Sequence, residues 1–387
     1  MLITLDDLRR YAVTRNFPEP TTLQRALRRM GFLQADPIRS PARAQDLILR
    51  QRVKNYRAGD LERRYQELDV EEDTFVNYGY VTRELSALMH PRSESRVPAD
   101  DQRLPWPAAQ RKKAELLLEF VRERGEVHPR EVDDHFSHGR VKNYWGGSSN
   151  ATTHLMDAMQ YQGMLRVVRR EKGIRIYAIG QHWVGAEPQS RLKGVTPGQS
   201  PRLTSGGEAA KVDALVDAVV RIYAPLPGPS LAFYLRRLRF AAPQWRGELT
   251  SALQRATKRL SHTRAGANQV VDWYWPANEK ALNHEVEQRV RLLAPFDPLV
   301  HDRARFELLW GWVYRFEAYT PAAKRKLGYY AMPLVWRDHV IGWGNLTLSD
   351  GGLKAEFGYF AGRAPREAAF KRELAAEMDR MGVFLGI

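Results

Sequence analysis

The chain has 387 residues and a formal net charge of +15, with an isoelectric point of about 9.9. This length exceeds one ordinary hydrophobic core and predicts two to four modules. The chain contains no cysteine, which excludes disulfides, thiolate nucleophiles and cysteine-ligated metal sites. The positive charge favours a polyanionic partner, and the excess of arginine over lysine suits contacts with nucleic acid.

The sequence gives no indication of a membrane segment or a signal peptide. A transmembrane helix needs about 20 apolar residues, and no uninterrupted apolar run approaches that length. The first residues, Met1 to Asp7, lack the basic and apolar regions of a signal peptide. We therefore expect a soluble, cytoplasmic protein.

The first predicted module spans residues 1–95. Thr4 is a suitable helix N-cap and Gly31 a suitable helix stop. Three short helices followed by strands is the order of a winged helix, a variant of the helix-turn-helix design. Helices are predicted at about 4–16, 21–30 and 41–52, and strand-like sequence at 74–82.

The same order recurs over residues 105–185, after a linker at 91–109 rich in proline, serine and charge. Its helices are predicted at about 108–124, 128–135 and 150–162. An alternating hairpin follows from Met164 to Ile179. This hairpin resembles the wing of a winged helix. Its basic residues are candidates for contacting DNA phosphates: Arg166, Arg169, Arg170, Lys172 and Arg175.

A third module is predicted over residues 205–285 and a different, strand-rich module over 290–387. The third module repeats the order with helices at about 208–223, 229–237 and 245–257 and a possible wing at 259–275. The C-terminal module is predicted to contain strands at 309–319, 327–336, 339–348 and 353–360 and a helix from about 365 to 381.

Common cofactor and metal motifs are absent from the sequence. It has neither a phosphate-binding P-loop nor a zinc-protease helix motif. His135 and His138, with Asp133 and Asp134 nearby, are better explained as a solvated helix face than as metal ligands. We therefore expect no metal and no cofactor.

One polar cluster could carry chemistry. Gln34 and Asp36 are two residues apart in an extended stretch, which would place their side chains on one face and Ala35 toward the core. Arg43 and Gln45 begin the next helix beside them. The alternative is structural, because an aspartate before proline is a common turn or cap residue.

The stretch 31–52, which contains Gln34-Ala35-Asp36, resembles the signature of the YcaQ/AlkZ family of bacterial DNA glycosylases. A second similarity covers 293–344, including Leu293 to Val300 and the Tyr314/Glu317/Tyr319 pattern. A third runs from Tyr144 to Leu165. The resemblance implies an α+β fold with three tandem winged-helix modules followed by a C-terminal β-barrel-like module.

The resemblance also implies a function. The Gln-x-Asp version of the motif is similar to the YcaQ branch, which removes N7-alkylguanines and unhooks interstrand crosslinks. Asp36 would be the catalytic carboxylate and Gln34 its partner, in a monofunctional enzyme acting on double-stranded DNA. We expect a bacterial, nucleoid-associated monomer. His90 and Pro91 would belong to a lesion-probing loop, and further DNA contacts are expected from Arg43, Gln45, Arg50, Trp145, Lys324, Arg325 and Lys326.

Two other functions remain open at this point. Winged helices most often serve non-catalytic regulators or architectural proteins, and a fold does not fix a function. A carboxylate facing DNA, such as Asp36, would repel phosphate in a regulator and therefore favours the enzyme. A metal-dependent nuclease or RNA-processing factor is disfavoured because no set of carboxylates and histidines clusters in the sequence.

Overall fold

The computed structural model describes residues 2–90, 92, 108–136, 140–142, 148–180, 207–349 and 352–387. The α+β class is confirmed, since helices alternate with small antiparallel sheets. The α-helices are Leu5–Asn16, Leu23–Met30, Ala44–Leu49, Asp60–Arg63, Arg83–Met89, Ala108–Arg124, Pro129–Phe136, Ala151–Tyr161, Glu208–Tyr223, Gly228–Ala241, Leu249–Arg259, Pro298–His301, Arg303–Trp310 and Ala368–Leu385. Short 3-10 helices lie at Tyr65–Glu67, Pro243–Glu248 and Ala322–Lys324.

The strands are short, and most are paired in hairpins. They are Phe32–Gln34, Val70–Thr74, Tyr78–Thr82, Glu126–Val127, Arg140–Lys142, Ser148–Asn150, Leu165–Glu171, Ile174–Ile179, Leu226–Pro227, Ser261–Ala265, Val271–Trp275, Val290–Leu292, Met332–Trp336, His339–Ser349 and Gly352–Tyr359. No helix in the described ranges is long and apolar enough to cross a membrane.

The chain forms two compact units, each built from separate stretches of sequence. The first unit contains the residues up to Leu61 together with Val216–Leu235 and Leu253–Ile387. The second unit contains Glu62–Leu215 and Arg236–Ala252. The four consecutive modules expected from the sequence stay a prediction.

In the first unit, local capping fixes the two helices that precede the polar cluster. Thr4 and Asp7 form a capping box at the start of Leu5–Asn16. The Thr22 side chain accepts a hydrogen bond from the backbone N–H of Arg25 and caps Leu23–Met30. Gly31 ends that second helix with a φ of +71°, a conformation that glycine adopts without strain.

The C-terminal strands form an open sheet, which corrects the expected barrel. Their order is Val290–Leu292, Met332–Trp336, His339–Ser349 and Gly352–Tyr359, with each strand antiparallel to its neighbour. A barrel needs its first and last strands to pair, and these two edges do not pair in the described residues.

The strand predicted at 309–319 was also wrong. Arg303–Trp310 is a helix, capped by the Asp302 side chain and ended by Gly311 in the left-handed conformation. Only Leu309 and Trp310 of the predicted strand fall in this helix, and residues 311–319 form neither helix nor strand. The aromatic residues of this run favoured a strand, but Gly311 ends the helix and the segment that follows it pairs with no strand of the described residues.

In the second unit, Ala108–Arg124, Pro129–Phe136 and Ala151–Tyr161 precede the predicted hairpin. Its strands, Leu165–Glu171 and Ile174–Ile179, pair in antiparallel register, and Glu126–Val127 pairs with the second of them. Lys172 and Gly173 both have positive φ, as a tight two-residue turn requires.

Candidate active site

The candidate site begins where the strand Phe32–Gln34 ends. Phe32 and Leu33 are buried, Gln34 and Ala35 are half-buried, and Asp36 is 8% exposed. Ala35 was expected to face the core and Asp36 to lie on the open face with Gln34. Because the strand stops at Gln34, the alternation of faces stops there as well. The carboxylate is therefore the more enclosed of the two polar groups.

Two hydrogen bonds fix the backbone around Asp36. Its N–H donates to Oε1 of Gln45 over 3.1 Å, and its Oδ1 accepts from the N–H of Ile38 over 2.9 Å. Burial raises the pKa of Asp36 above the ordinary 3.8, and the Ile38 hydrogen bond opposes this rise. A carboxylate with a raised pKa is a stronger base than an ordinary aspartate.

Two tyrosines of the C-terminal segment are close enough to Asp36 to feel its charge. Burial raises the pKa of Tyr330 well above 10, and the Asp36 charge raises it further. The pKa of Tyr319 is raised by the same two causes in the same order. Tyr330 is 2% exposed and its hydroxyl is buried without a hydrogen-bond partner in the described part of the chain. Tyr319, by contrast, is 73% exposed.

Aromatic packing supports both tyrosines. The Phe316 ring lies edge-on to Tyr330, with 5.4 Å between ring centroids, and edge-on to Tyr319 at 6.0 Å. Tyr329 is exposed, and the Arg325 guanidinium lies 5.0 Å from the centre of its ring. Asp36 therefore lies beside a patch that combines one buried hydroxyl with exposed aromatic faces.

A buried carboxylate shapes the loop that carries these tyrosines. Glu317 accepts hydrogen bonds from the backbone N–H groups of Lys326 and Leu327 over 2.8 and 2.7 Å. The Arg325 Nε donates to the carbonyl of Thr320 over 2.8 Å. The predicted DNA contacts Lys324 and Lys326 remain exposed on this loop.

Two of the predicted DNA contacts near the motif, Gln45 and Arg50, have buried side chains within the first unit. Gln45 is 4% exposed and holds the Asp36 backbone. The Arg50 guanidinium forms a buried ion pair with Glu377 and also donates to the carbonyl of Leu292 over 3.3 Å. Gln45 therefore positions the Asp36 backbone, and Arg50 links its helix to Glu377 and Leu292. Arg43 is half-buried at the start of Ala44–Leu49.

The basic residues of the second unit's hairpin are mostly ion-paired within that unit. Arg170 forms two hydrogen bonds with Glu72, at 2.7 and 2.6 Å. The remaining pairs are Arg175 with Asp157, Arg169 with Glu126 and Glu171, and Arg166 with Glu71. Lys172, at the turn, is exposed.

His90 was expected in a lesion-probing loop, but its side chain is only 4% exposed. Its Nε2 lies 2.8 Å from Oδ2 of Asp73. The other carboxylate oxygen of Asp73, Oδ1, lies 2.9 Å from Nη1 of Arg92. Burial lowers the pKa of His90 below 6.5, so the neutral ring is favoured. In this position His90 stabilises the second unit and does not reach outward. Pro91 and Trp145 lie outside the described residues.

Within the described ranges, no three histidine, aspartate or glutamate side chains are placed to hold a metal ion. The model of a protein family described as "DNA glycosylase AlkZ-like" matches residues 27–384 of the chain. The chain belongs to the AlkZ-like DNA glycosylase family. Its substrate is therefore DNA, and membership in this family supports glycosylase activity in DNA repair.

A solved structure agrees with this membership at the level of fold. The chain superposes on the Streptomyces sahachiroi DNA glycosylase AlkZ with a TM-score of 0.61 and 14% sequence identity. The match covers 100% of this chain and 98% of that one. At this identity the likeness concerns the fold alone.

Sequence reasoning missed one neighbour of Asp36 and undervalued another. Tyr330 lies within the similarity over 293–344 but is not singled out by it, and Tyr319 appears there only as part of the Tyr314/Glu317/Tyr319 pattern. Tyr319 and Tyr330 lie 283 and 294 residues after Asp36, and periodicity carries no information on such long-range contacts. The available signal was the concentration of tyrosines between Tyr314 and Tyr330.

Proposed function

We propose that the chain hydrolyses the N-glycosidic bond of alkylated purines in double-stranded DNA, with N7-alkylguanine as the preferred class, and leaves an abasic site. Asp36 carries this proposal. It is a nearly buried carboxylate with a raised pKa, and its backbone is fixed on both sides. In the family, which acts on DNA, such a group is better suited to catalysis than to phosphate contact, because it would repel phosphate.

An N7-alkylated guanine is cationic, so its glycosidic bond is already weakened and the leaving base needs no protonation. One carboxylate can then activate water and stabilise the oxocarbenium-like sugar, which is half of the apparatus of ordinary glycosidases. Asp36 acts as that carboxylate. Gln34, neutral and able both to donate and to accept hydrogen bonds, orients the water or the sugar.

The aromatic patch supports a cationic purine as the substrate. Tyr319 and Tyr329 expose their rings on the segment that approaches Asp36. An aromatic face attracts a cation and also stacks on a base, so a positively charged purine gains from both effects. The exposed position of Tyr319 is compatible with crosslinked bases, which cannot be enclosed in a tight pocket, and we extend the proposal to unhooking of interstrand crosslinks.

Winged-helix modules would deliver the DNA to this site. The helix order followed by a hairpin supports such a module in the second unit, with the exposed Lys172 at the tip of its wing. In the first unit, Lys324 and Lys326 are exposed beside the aromatic patch and suited to phosphates. Arg43 is proposed as a further contact at the edge of the motif.

The deciding experiment measures base release from a duplex with a single N7-methylguanine, in EDTA, by the wild-type chain and by Asp36→Asn. We expect the wild type to release the base and the variant to do so at a rate at least about 100-fold lower. The two proteins should bind undamaged DNA with the same affinity. Release by Asp36→Asn at the wild-type rate would remove Asp36 from the mechanism. Tight binding without release by either protein would favour a non-catalytic DNA-binding protein.

Borohydride trapping tests the monofunctional part of the proposal. The motif contains no lysine, and a hydrolytic reaction driven by a carboxylate forms no Schiff base with the sugar. We expect no covalent protein–DNA adduct under reduction. A trapped adduct would establish an amine nucleophile that forms a Schiff base with the sugar, and would contradict simple hydrolysis.

A further inference from the structure

A cavity of about 470 Å³ opens in the first unit, on residues that the proposed mechanism does not use. It is bordered by the end of Leu5–Asn16, by the end of Leu23–Met30 and by Arg221 and Ile222 of Glu208–Tyr223. Its charged lining consists of Arg15, Arg28, Arg29, Arg52, Arg221 and Glu279. A neighbouring cavity of about 390 Å³ shares Arg221 and Glu279 with it.

Two of these arginines are already compensated. Arg15 donates to both carboxylate oxygens of Glu279, over 2.8 and 3.0 Å. Arg52 makes an equivalent two-point contact with Asp297, over 2.8 and 3.0 Å. Glu279 also accepts a hydrogen bond from the Tyr11 hydroxyl over 2.6 Å. The acidic charge near the cavity is therefore engaged by partners of its own.

Arg29 and Arg221 differ from these two. Both are exposed, and neither guanidinium forms an ion pair or a hydrogen bond with a residue in the described part of the chain. Of the described residues that line this first cavity, Glu279 alone is acidic. Arg29 and Arg221 therefore place positive charge on the lining that no carboxylate of the described residues pairs with.

Helix dipoles explain part of this arrangement. Arg28 and Arg29 lie in the last turn of one helix and Arg221 in the last turn of another, where cations are stabilised by about 0.3–1 kcal/mol. That effect acts on each helix separately. It does not explain why two helix ends, distant in sequence, converge on one concave surface.

We propose that this cavity binds the phosphate group of a nucleotide. Guanidinium groups contact phosphate oxygens through two parallel hydrogen bonds. The volume lies within the range of about 300–1,000 Å³ that is usual for ligand sites, which leaves room for the attached nucleoside. The phosphate belongs either to a flanking nucleotide of the DNA strand or to a free nucleotide, and the two sources differ in how they respond to salt and to added ligand.

The test compares Arg29→Gln and Arg221→Gln with Arg25→Gln. Arg25 lies on the same helix as Arg29 and is exposed, but it does not line the cavity, so its substitution removes the same charge elsewhere. One measurement is the affinity for a short undamaged duplex as a function of salt. The other is the shift of Tm caused by AMP, without DNA.

If the cavity holds a DNA phosphate, Arg29→Gln and Arg221→Gln each flatten the log–log salt dependence by about 0.9, and Arg25→Gln does not. If it holds a free nucleotide, AMP raises the Tm of the wild type and of Arg25→Gln but not of the cavity variants. Salt slopes and AMP shifts that are the same in all four proteins would overturn the proposal. Neither measurement depends on glycosylase activity, so its outcome is separate from that of the Asp36 mechanism.

Discussion

The backbone N–H of Asp36 donates to the side-chain carbonyl of Gln45 over 3.1 Å. This contact ties the segment that contains Asp36 to the start of Ala44–Leu49, whose residues are all buried. The position of the carboxylate is therefore set by a rigid helix rather than by the loop that contains it.

Replacing Gln45 with leucine, which has a similar size but no acceptor, should weaken both stability and catalysis. The Asp36 N–H would be left buried without a partner, at a cost of about 1–3 kcal/mol. A displaced carboxylate would lower the single-turnover rate of base release. Chemical denaturation and single-turnover kinetics measure the two effects. A variant with wild-type stability and rate would show that the contact does not position Asp36.

The raised pKa of Asp36 predicts opposite effects on activity and stability. Burial lifts the pKa above 3.8, so the folded state binds the proton more tightly than the unfolded state. The associated stability is complete below pH 3.8 and is lost as the pH rises through the folded-state pKa. At neutral pH the ionised carboxylate is therefore a destabilising group.

Asp36→Asn should consequently raise the Tm at neutral pH while lowering the rate of base release by at least about 100-fold. The gain in Tm should disappear as the pH falls below 3.8, because the wild-type carboxyl is then neutral too. In the wild type, the acid limb of the rate profile should have its midpoint above 3.8. An Asn variant less stable than the wild type at neutral pH would show that the ionised carboxylate is stabilised by its surroundings.

Tyr330→Phe tests whether the buried hydroxyl beside Asp36 takes part in the reaction. The hydroxyl has no hydrogen-bond partner in the described part of the chain, so its removal should leave the Tm unchanged or higher. If it orients Asp36 or the attacking water, the rate of base release should fall by about 10-fold or more with DNA affinity unchanged. Tyr319→Phe, which removes an exposed hydroxyl and keeps the ring, is the matched control. Equal rates in both variants and the wild type would limit Tyr330 to packing.

The helices and hairpins of this fold could be predicted because they follow local rules. Thr4, Gly31 and the Lys172-Gly173 turn each act within a few residues. The pairing of Arg50 with Glu377 joins positions 327 residues apart, and no local pattern indicates it. The same limit explains why Arg50 was taken for a DNA contact, since an arginine that binds phosphate and one that binds a buried carboxylate look alike in sequence.

Removing one partner of the ion pair between Arg52 and Asp297 should strongly destabilise the first unit. Both side chains are buried, and Asp297 also accepts a hydrogen bond from the N–H of Leu299 at the start of Pro298–His301. Asp297→Ala leaves Arg52 buried without its partner and should cost about 3–5 kcal/mol. Asp6→Ala, which removes the exposed partner of Arg9, should cost no more than about 1 kcal/mol. Denaturant titration compares the two, and similar losses would contradict the argument.

In the second unit's hairpin, we expect some charged residues to stabilise the fold and others to contact DNA. Arg170 is committed to Glu72, which is 4% exposed, whereas Lys172 is exposed at the turn. Arg170→Gln should lower stability by up to about 3–5 kcal/mol, because the buried carboxylate of Glu72 loses its ion-pair partner and keeps the hydrogen bond from the Tyr78 hydroxyl. Lys172→Gln should leave stability unchanged and flatten the salt dependence of DNA binding by about 0.9.

Thermal unfolding and binding titrations at several salt concentrations distinguish these effects, and each variant removes a single positive charge. The comparison therefore controls for net charge while changing only its position on the hairpin. If Arg170→Gln flattened the salt dependence and kept the wild-type Tm, its pairing with Glu72 would be exchanged for a phosphate on binding. The hairpin would then contact DNA phosphates through both residues, and the ion pairs would fix the positions of its arginines in the free protein.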